Sequence, residues 1–423
     1  DDRHAVVGGR GIARIAVVLR GRAKDVKAVS RGVWERCCRW GLLASGLMRL
    51  LHTSDWHLGR SFHREDMLGA QARFVDHLVE TVRAESVDAV LVSGDLYDRA
   101  LPPVDAVALC DEALRRLAAE KVQVIVISGN HDSAQRLGFG SGLMDAAGVH
   151  VRADPASVGT PVVLGDGTAV YGIPYLEPEV VRSGWELPER GHTAALTEAM
   201  RRVRADLATR DGRSVVLAHA FVTGGEASDS ERDISVGGVA SVPMSVFGGV
   251  DYVALGHLHG RQRMSETVRY SGSPLAYSFS EEHQVKGAWL VDLGSTVRTE
   301  FVEAPVPRRA ARVSGRLDDL LTGEKWARYE DHWLQVTLTD PSRPAGAMER
   351  LRGRFPHTLA LAFEPEGGPA GDDRGWAERI RDRSELEIAY DFVREVRGAP
   401  ADQAESELLH EAFEACRRAE AAR

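Results

Sequence analysis

Five short apolar runs constrain this chain more than any other feature. Nearly every one of them stops at a polar residue able to hold a metal ion. In order, the stops read Asp55-Trp56-His57, Gly94-Asp95, Gly129-Asn130-His131-Asp132, Ala218-His219-Ala220 and Gly256-His257-Leu258-His259. Runs of this length and character predict β-strands, with the nearly all-apolar Val122–Ser128 buried on both faces. Strand ends that carry Asp, Asn and His bring oxygen and nitrogen donors to one edge from distant parts of the chain. That pattern is the sequence form of a binuclear metal centre, and such centres hydrolyse phosphate esters.

Each motif alone is weak. A lone His-x-His is more often a structural pair. Gly-Asp and Gly-Asn-His-Asp are ordinary turn sequences, because Gly and Asn accept positive φ. Five such clusters, each ending a strand of one domain, have little reason to coincide by chance. Strand alternation would point Asp55 and His57 to one face, within reach of one ion. Asp95 has two carboxylate oxygens with which to bridge two ions. Asn130 offers an amide oxygen, and His219, His257 and His259 offer imidazoles. His131 follows Asn130 directly, so its side chain should project elsewhere. That suits a proton donor to a leaving alkoxide or a group that steadies the transition-state charge, with the Asp98 carboxylate orienting its ring. His52, His63 and His283 are expected to be structural or surface residues. Arg60, Arg64, Arg99, Arg136 and Arg261 follow the motifs and read as phosphate-positioning groups or as solvated loop charge.

The 423 residues are enough for two or three domains. From Met48 the pattern alternates between strand and helix, which indicates an α/β layered domain. Strands are expected at Arg49–Ser54, Ala89–Ser93, Val122–Ser128, Ala169–Ile173, Ser214–His219 and Asp251–His257. Helices are expected over 66–85 and after Pro102-Pro103. Val268–Ser271 and Gly287–Leu293 read as a closing hairpin. A small α+β unit follows, with strands Trp333–Leu338 and Thr358–Phe363 around a helix at Ala347–Arg354. After a loose Pro/Gly/Asp stretch, residues 385–423 read as charged helix with Leu408, Leu409, Ala412, Phe413 and Cys416 on one stripe.

The net charge of −9 excludes a globally basic nucleic-acid binder but not local contacts to DNA. No apolar run is long enough to span a bilayer. The four cysteines lack zinc spacing and fit a reducing cytoplasm. Residues 1–47 hold ten Lys/Arg against four Asp/Glu without periodicity. They read as a non-native or disordered extension upstream of a start at Met48.

The motifs Asp-x-His, Gly-Asp-x-x-Asp, Gly-Asn-His-Asp and Gly-His-x-His, in this order, resemble the calcineurin-like metallophosphoesterase superfamily. More narrowly, His52-Thr53-Ser54-Asp55-Trp56-His57-Leu58-Gly59, Ser93-Gly94-Asp95-Leu96-Tyr97-Asp98, Ser128-Gly129-Asn130-His131-Asp132-Ser133 and Tyr270-Ser271-Gly272-Ser273-Pro274 resemble the SbcD family, the nuclease subunit of the bacterial SbcCD complex. The resemblance implies a calcineurin-like α/β fold with two central β-sheets flanked by helices. It implies a nuclease domain over 48–304, an α+β DNA-capping domain over 305–368 and C-terminal helices over 385–423. Those helices would grip an SbcC-like ATPase, within a heterotetramer containing a homodimer of this chain. It implies two divalent ions, manganese with magnesium as the weaker candidate. Asp55, His57, Asp95 and His259 would hold one ion, and Asp95, Asn130, His219 and His257 the other, with His131 catalytic. The activity implied is a cytoplasmic DNA exonuclease and endonuclease acting on ends and hairpins in repair and recombination. The alternative is a stand-alone phosphatase or phosphodiesterase with the same core, and the long C-terminal portion argues against it.

Overall fold

A run such as Ala-Val-Leu-Val-Ser has no polar face to turn to water. In the computed structural model, which describes residues 47–235, 241–366, 384–397 and 399–421, such runs lie inside two stacked sheets. The elements in chain order are β1 (Met48–Thr53), α1 (Leu68–Glu85), β2 (Ala89–Ser93), α2 (Val104–Ala119), β3 (Gln123–Ile127) and β4 (Val149–Arg152). They continue with β5 (Val162–Val163), β6 (Ala169–Ile173), α3 (Pro178–Trp185), α4 (His192–Leu207), β7 (Ser214–His219), β8 (Tyr252–Gly256), β9 (Gln262–Arg263), β10 (Val268–Tyr270), β11 (Gly287–Leu293) and β12 (Val297–Glu303).

The first sheet has the order β12-β11-β1-β2-β3-β4 and the second the order β9-β10-β8-β7-β6-β5. Strands β1 to β4 run parallel, as do β6, β7, β8 and β10. The strand period of two sorts the side chains into layers. On β2, Val90 and Val92 pack beneath α1 and α2, while Ala89 and Leu91 face the other sheet. Across that inner layer Leu50, Leu91, Ile125 and Ile127 meet Val170, Val215, Leu217 and Ala254. Helices α3 and α4 cover the far side of the second sheet through Val181, Leu196, Ala199, Met200 and Val203. The result is helix, sheet, sheet, helix, as the α/β reading expected.

Polar side chains cross the inner layer at its edge. The buried His52 ring on β1 contacts Tyr252 Oη at 3.0 Å and the Leu255 carbonyl at 3.1 Å on β8. Burial pushes its pKa down to about 3, so it is a neutral structural histidine. Ser93 Oγ donates to the Ala254 carbonyl at 2.9 Å.

One expectation fails. β10 lies parallel to β8 in the second sheet, and β11 lies antiparallel to β1 in the first, so the two form no hairpin. The residues between them, 271–286, far exceed a hairpin turn and cross from one sheet to the other. The hairpin partner of β11 is β12, which the sequence reading did not mark.

The third sheet adds an unexpected strand, β13 (Ala310–Gly315), beside β14 (Trp333–Leu338) and β15 (Thr358–Phe363), all parallel. Helices α5 (Leu317–Thr322) and α6 (Ala347–Arg354) complete its core. This unit seats on the first through Phe62, Met67, Leu275, Tyr277, Phe279, Ala310 and Trp333. The terminal segment is two helices, α7 (Glu385–Arg397) and α8 (Gln403–Ala421). Pro400 lies between them and cannot continue a helix. Tyr390 Oη donates to the Ser406 carbonyl at 3.4 Å across the pair. Phe392 (55%), Val396 (66%) and Leu408 (65%) are exposed. The Cys416 side chain and the expected extension at 1–46 lie outside the described residues.

Leu217 is fully buried in the layer between the sheets. Leu217→Ala is expected to lower stability by about 2–5 kcal/mol, the range for a buried leucine truncated in a packed core. A denaturant midpoint unchanged from the parent would contradict the stacked-sheet core.

Candidate metal centre

Because β1 to β4 run parallel in one sheet and β6, β7, β8 and β10 in the other, the carboxyl ends of these strands share one edge of each sheet. Stacking places the ends of β1, β2 and β3 opposite those of β7 and β8. Asp55, His57, Asp95, Asn130, His131, His219, His257 and His259 are brought together there. Donor atoms of Asp55, His57 and His259 lie within 4.8 Å of one another, as do those of His57, Asp95 and His131, and those of Asp55, Asp95 and His219.

Asp95 sits between the two halves. Its Oδ1 accepts the His131 backbone N–H at 2.8 Å. Its Oδ2 lies 3.6 Å from His57 Nε2 and 3.6 Å from His219 Nε2. One oxygen thus faces a donor from each sheet, as a bridging ligand must.

The local backbone is not what strand alternation suggested. β1 ends at Thr53, and Asp55 (φ 53°) and His57 (φ 45°) both adopt left-handed turns, as do Asp95 (φ 48°) and, at a wider angle, His257 (φ 103°). Such conformations cost on the order of 1–3 kcal/mol each for non-glycine residues and cluster at functional sites. Backbone hydrogen bonds hold the turns: Asp55 N–H donates to the Gly94 carbonyl and His57 N–H to the Asp95 carbonyl, each at 3.0 Å. Gly94 has φ +94°, and a Cβ on it would lie 2.4 Å from His219 Nδ1. A Cβ on Gly129 would lie 2.1 Å from Asp95 Oδ1. The glycines of these motifs make room for the ligands.

The donor set fits cations. His219 Nδ1 faces the Ser93 carbonyl at 2.9 Å and must carry the hydrogen there, leaving a lone pair on Nε2. That lone pair points at Asn130 Oδ1, another acceptor, 2.9 Å away. Two acceptors face each other in this way when a cation lies between them. His257 Nδ1 approaches the same amide oxygen at 3.2 Å, and His57 Nε2 lies 3.0 Å from His259 Nε2. Burial, with neighbouring imidazoles adding to it, holds His57 and His257 well below the usual histidine pKa. Burial also lowers His219. These rings are neutral and free to ligate. Burial and the Asp95 charge push the Asp55 carboxyl up, which a bound cation would reverse.

His131 is anchored differently from the expectation. Its Nδ1 lies 2.7 Å from the Asp98 backbone carbonyl, not from the carboxylate. The Asp98 carboxylate instead faces His57 Nδ1 at 3.8 Å, Arg60 Nε at 3.7 Å and Arg99 Nη2 at 3.6 Å. The chain turns away after Asp95, so the peptide of Asp98 reaches the ring before its side chain can. Among the arginines singled out, Arg60 reaches the Ser230 carbonyl at 2.9 Å, Arg136 the Ala100 carbonyl at 2.9 Å, and Arg261 stacks over Phe301. Arg64 is exposed.

Several site residues carried no sequence signal. Arg232 reaches over His131, 3.4 Å from its Nδ1 and 3.4 Å from the Asn130 carbonyl. It lies in the loop between β7 and β8, outside any strand-end motif. Asp132 does belong to a motif. Its carboxylate accepts N–H bonds from Leu96, Tyr97 and Gly129, tying the loops after β2 and β3. Burial and Asp95 push its pKa up to about 7.

Residues 48–261 match the calcineurin-like phosphoesterase family, about half of the chain. The chain belongs to that family. It is therefore a phosphoester hydrolase with a His/Asp cluster compatible with a binuclear metal site. Residues 306–397 match the SbcD C-terminal family, described as the type 5 capsule protein repressor C-terminal domain. The two matches together are consistent with an SbcD-family nuclease subunit. Solved structures similar to this phosphoesterase include TT1561 of Thermus thermophilus, 14% identical, with 60% of this chain and 99% of that one covered and a TM-score of 0.37. A dimetal phosphatase from Danio rerio is 15% identical, with 60% and 98% covered and a TM-score of 0.37. The calcineurin-like phosphoesterase YfkN from Bacillus subtilis is 12% identical, with 61% and 90% covered and a TM-score of 0.34.

Asp95→Ala is expected to remove the oxygen shared by the two halves of this site. Bound manganese, measured after equilibrium dialysis, should fall from two ions per chain to one or none. Full metal content in the variant would show that Asp95 is not the bridge.

Proposed function

We propose that this phosphoesterase is the nuclease subunit of an SbcCD-type complex, a manganese-dependent DNA exonuclease and endonuclease acting at ends and hairpins. The observation that carries the reading is the clustering of seven donor residues, Asp95 at their centre, with His131 beside them, in a chain that also matches the SbcD C-terminal family. Asp55, His57, Asp95 and His259 would hold one ion, and Asp95, Asn130, His219 and His257 the other. The ion pair, when bound, supplies polarisation of phosphate oxygens and of water. His131 keeps its Nδ1 hydrogen on the Asp98 carbonyl, which turns Nε2 toward the cluster, 3.9 Å from Asp95 Oδ2. In its imidazolium form that nitrogen hands a proton to the departing alkoxide. Arg232, exposed above His131, meets the phosphodiester backbone.

The remaining parts suit the same role. The third sheet packs against Tyr277, whose hydroxyl donates to the Trp56 carbonyl at 2.5 Å, a position that suits a DNA-capping role for this unit. Leu101 (67%), Val104 (84%), Phe139 (86%) and Leu143 (84%) are exposed, and Arg136 links their two segments. An apolar group of this kind suits a homodimer contact. The exposed apolar side chains of α7 and α8 suit docking on the coiled-coil base of an SbcC-like ATPase. Among the described residues, no helix is long and apolar enough to cross a membrane, and the cysteine usage fits the cytoplasm.

His131→Asn is expected to keep both ions and DNA binding while losing about 10²–10⁴-fold in rate, the usual range for a positioned acid or base. Loss of metal in this variant would make His131 a ligand instead. End-labelled duplex and hairpin DNA, incubated with manganese with and without the ATPase, tests the whole reading. Hydrolysis of a generic phosphodiester with no DNA cleavage in either case would favour a stand-alone phosphodiesterase. Leu409→Asp with Phe413→Asp should abolish the ATP-stimulated part of duplex cleavage with little change in melting temperature. A large fall in melting temperature would place α8 in the protein's own core.

A further inference from the structure

Each ligating histidine must present one ring nitrogen as a lone pair, so something has to fix the hydrogen on the other. For His219 that is the Ser93 carbonyl, and for the neighbouring His131 it is the Asp98 carbonyl. Both are backbone atoms supplied by the fold itself. His259 is held by side chains. Its Nδ1 lies 2.5 Å from Ser230 Oγ, and the Ser230 hydroxyl donates to Glu281 Oε1. A hydroxyl whose hydrogen is committed to a carboxylate can only accept from the ring. Nδ1 therefore carries the hydrogen, and Nε2 keeps its lone pair on the side facing His57.

Behind Glu281 stands Lys286. Its three N–H groups are shared among four acceptors, Glu281 Oε2 at 2.5 Å, Ser273 Oγ at 2.9 Å, Gln284 Oε1 at 2.8 Å and the carbonyl of His259 itself at 2.9 Å. Glu281 is 1% exposed and Lys286 3%. A buried ion pair is a poor choice for stability alone, since well-packed apolar residues generally do as well. This one grips His259 from both ends, the ring through Ser230 and the main chain through Lys286.

We propose that Ser230, Glu281 and Lys286 are positioning residues that set the tautomer and orientation of His259, and thereby the affinity of one of the two metal positions and not of the other. The proposal rests on the reading of this cluster as a binuclear metal centre. Its selectivity follows from the geometry, because the relay touches His259 alone among the proposed ligands, while His219 at the end of β7 is fixed by the Ser93 backbone carbonyl.

The test uses the full chain and Mn2+ alone, with free ion read by electron paramagnetic resonance during titration. In Ser230→Ala, one of the two ions should bind about 10–100-fold more weakly, the range for loss of a partner behind a ligating histidine. The other ion should be unchanged, and so should the melting temperature of the metal-free chain. Ser230→Thr keeps the hydroxyl and should restore the first ion. Glu281→Gln combined with Lys286→Met leaves no unpaired charge and should reproduce the selective weakening. Wild-type affinity for both ions in Ser230→Ala and in the paired variant would overturn the relay. Equal weakening of both ions without rescue by Ser230→Thr would overturn it too. If the unsubstituted chain binds no Mn2+, the metal-centre reading itself fails, an outcome distinct from the other two.

Discussion

The structure depends on one packing event, the face-to-face contact of two sheets through Leu50, Leu91, Ile125 and Ile127 on one side and Val170, Val215, Leu217 and Ala254 on the other. Apolar burial drives that contact and is indifferent to direction. Direction comes from the edge of the layer, where His52 and Ser93 bond across to β8. There the sheets approach so closely that a Cβ on Gly256 would lie 1.9 Å from the Ser93 carbonyl oxygen. That approach sets the carboxyl ends of five strands against one another and makes a site from residues more than 200 positions apart.

The site collects what a fold normally avoids. Asp55 and Asp95 are buried side by side, four histidines turn their rings toward them, and Asp55, His57, Asp95 and His257 hold left-handed backbone. Desolvation keeps the imidazoles neutral and raises Asp55, so the cluster has a surplus of lone pairs and little positive charge of its own. Fixed backbone bonds and the rigid ends of buried strands hold it in that state. A divalent cation relieves the carboxylate repulsion and uses the lone pairs together, which is why the same arrangement suits phosphoester hydrolysis.

The loops around the centre divide the work of positioning. Asp132 ties two of them together through three backbone N–H groups. The segment from Ser271 to Lys286 crosses between the sheets and does more. It carries Tyr277, which touches both the Trp56 carbonyl and the apolar seat of the third sheet, and it carries Glu281 and Lys286 behind His259. Through it the third sheet and the metal centre share a support, so their relative placement follows from the same few side chains.

The α/β layering, the strands that end at Asp95, Asn130, His219 and His257, and the donor residues themselves were legible in the chain. Unbroken apolar runs and Gly-Asp or Gly-His stops are local patterns, and burial on both faces leaves them little other use. What lay beyond the sequence was relational. That β10 and β11 belong to different sheets depends on a long crossover with no period of its own. That Asp55 and His57 converge by left-handed turns, and that Asp98 holds His131 by its carbonyl, depends on backbone bonds to another loop. Ser230, Arg232, Glu281 and Lys286 lie in loops without periodicity, and nothing local marks them. Residue type and spacing determined which atoms could bind a metal. Only the stacking of the two sheets decided which of them meet, because a contact across two hundred residues leaves no trace in either neighbourhood.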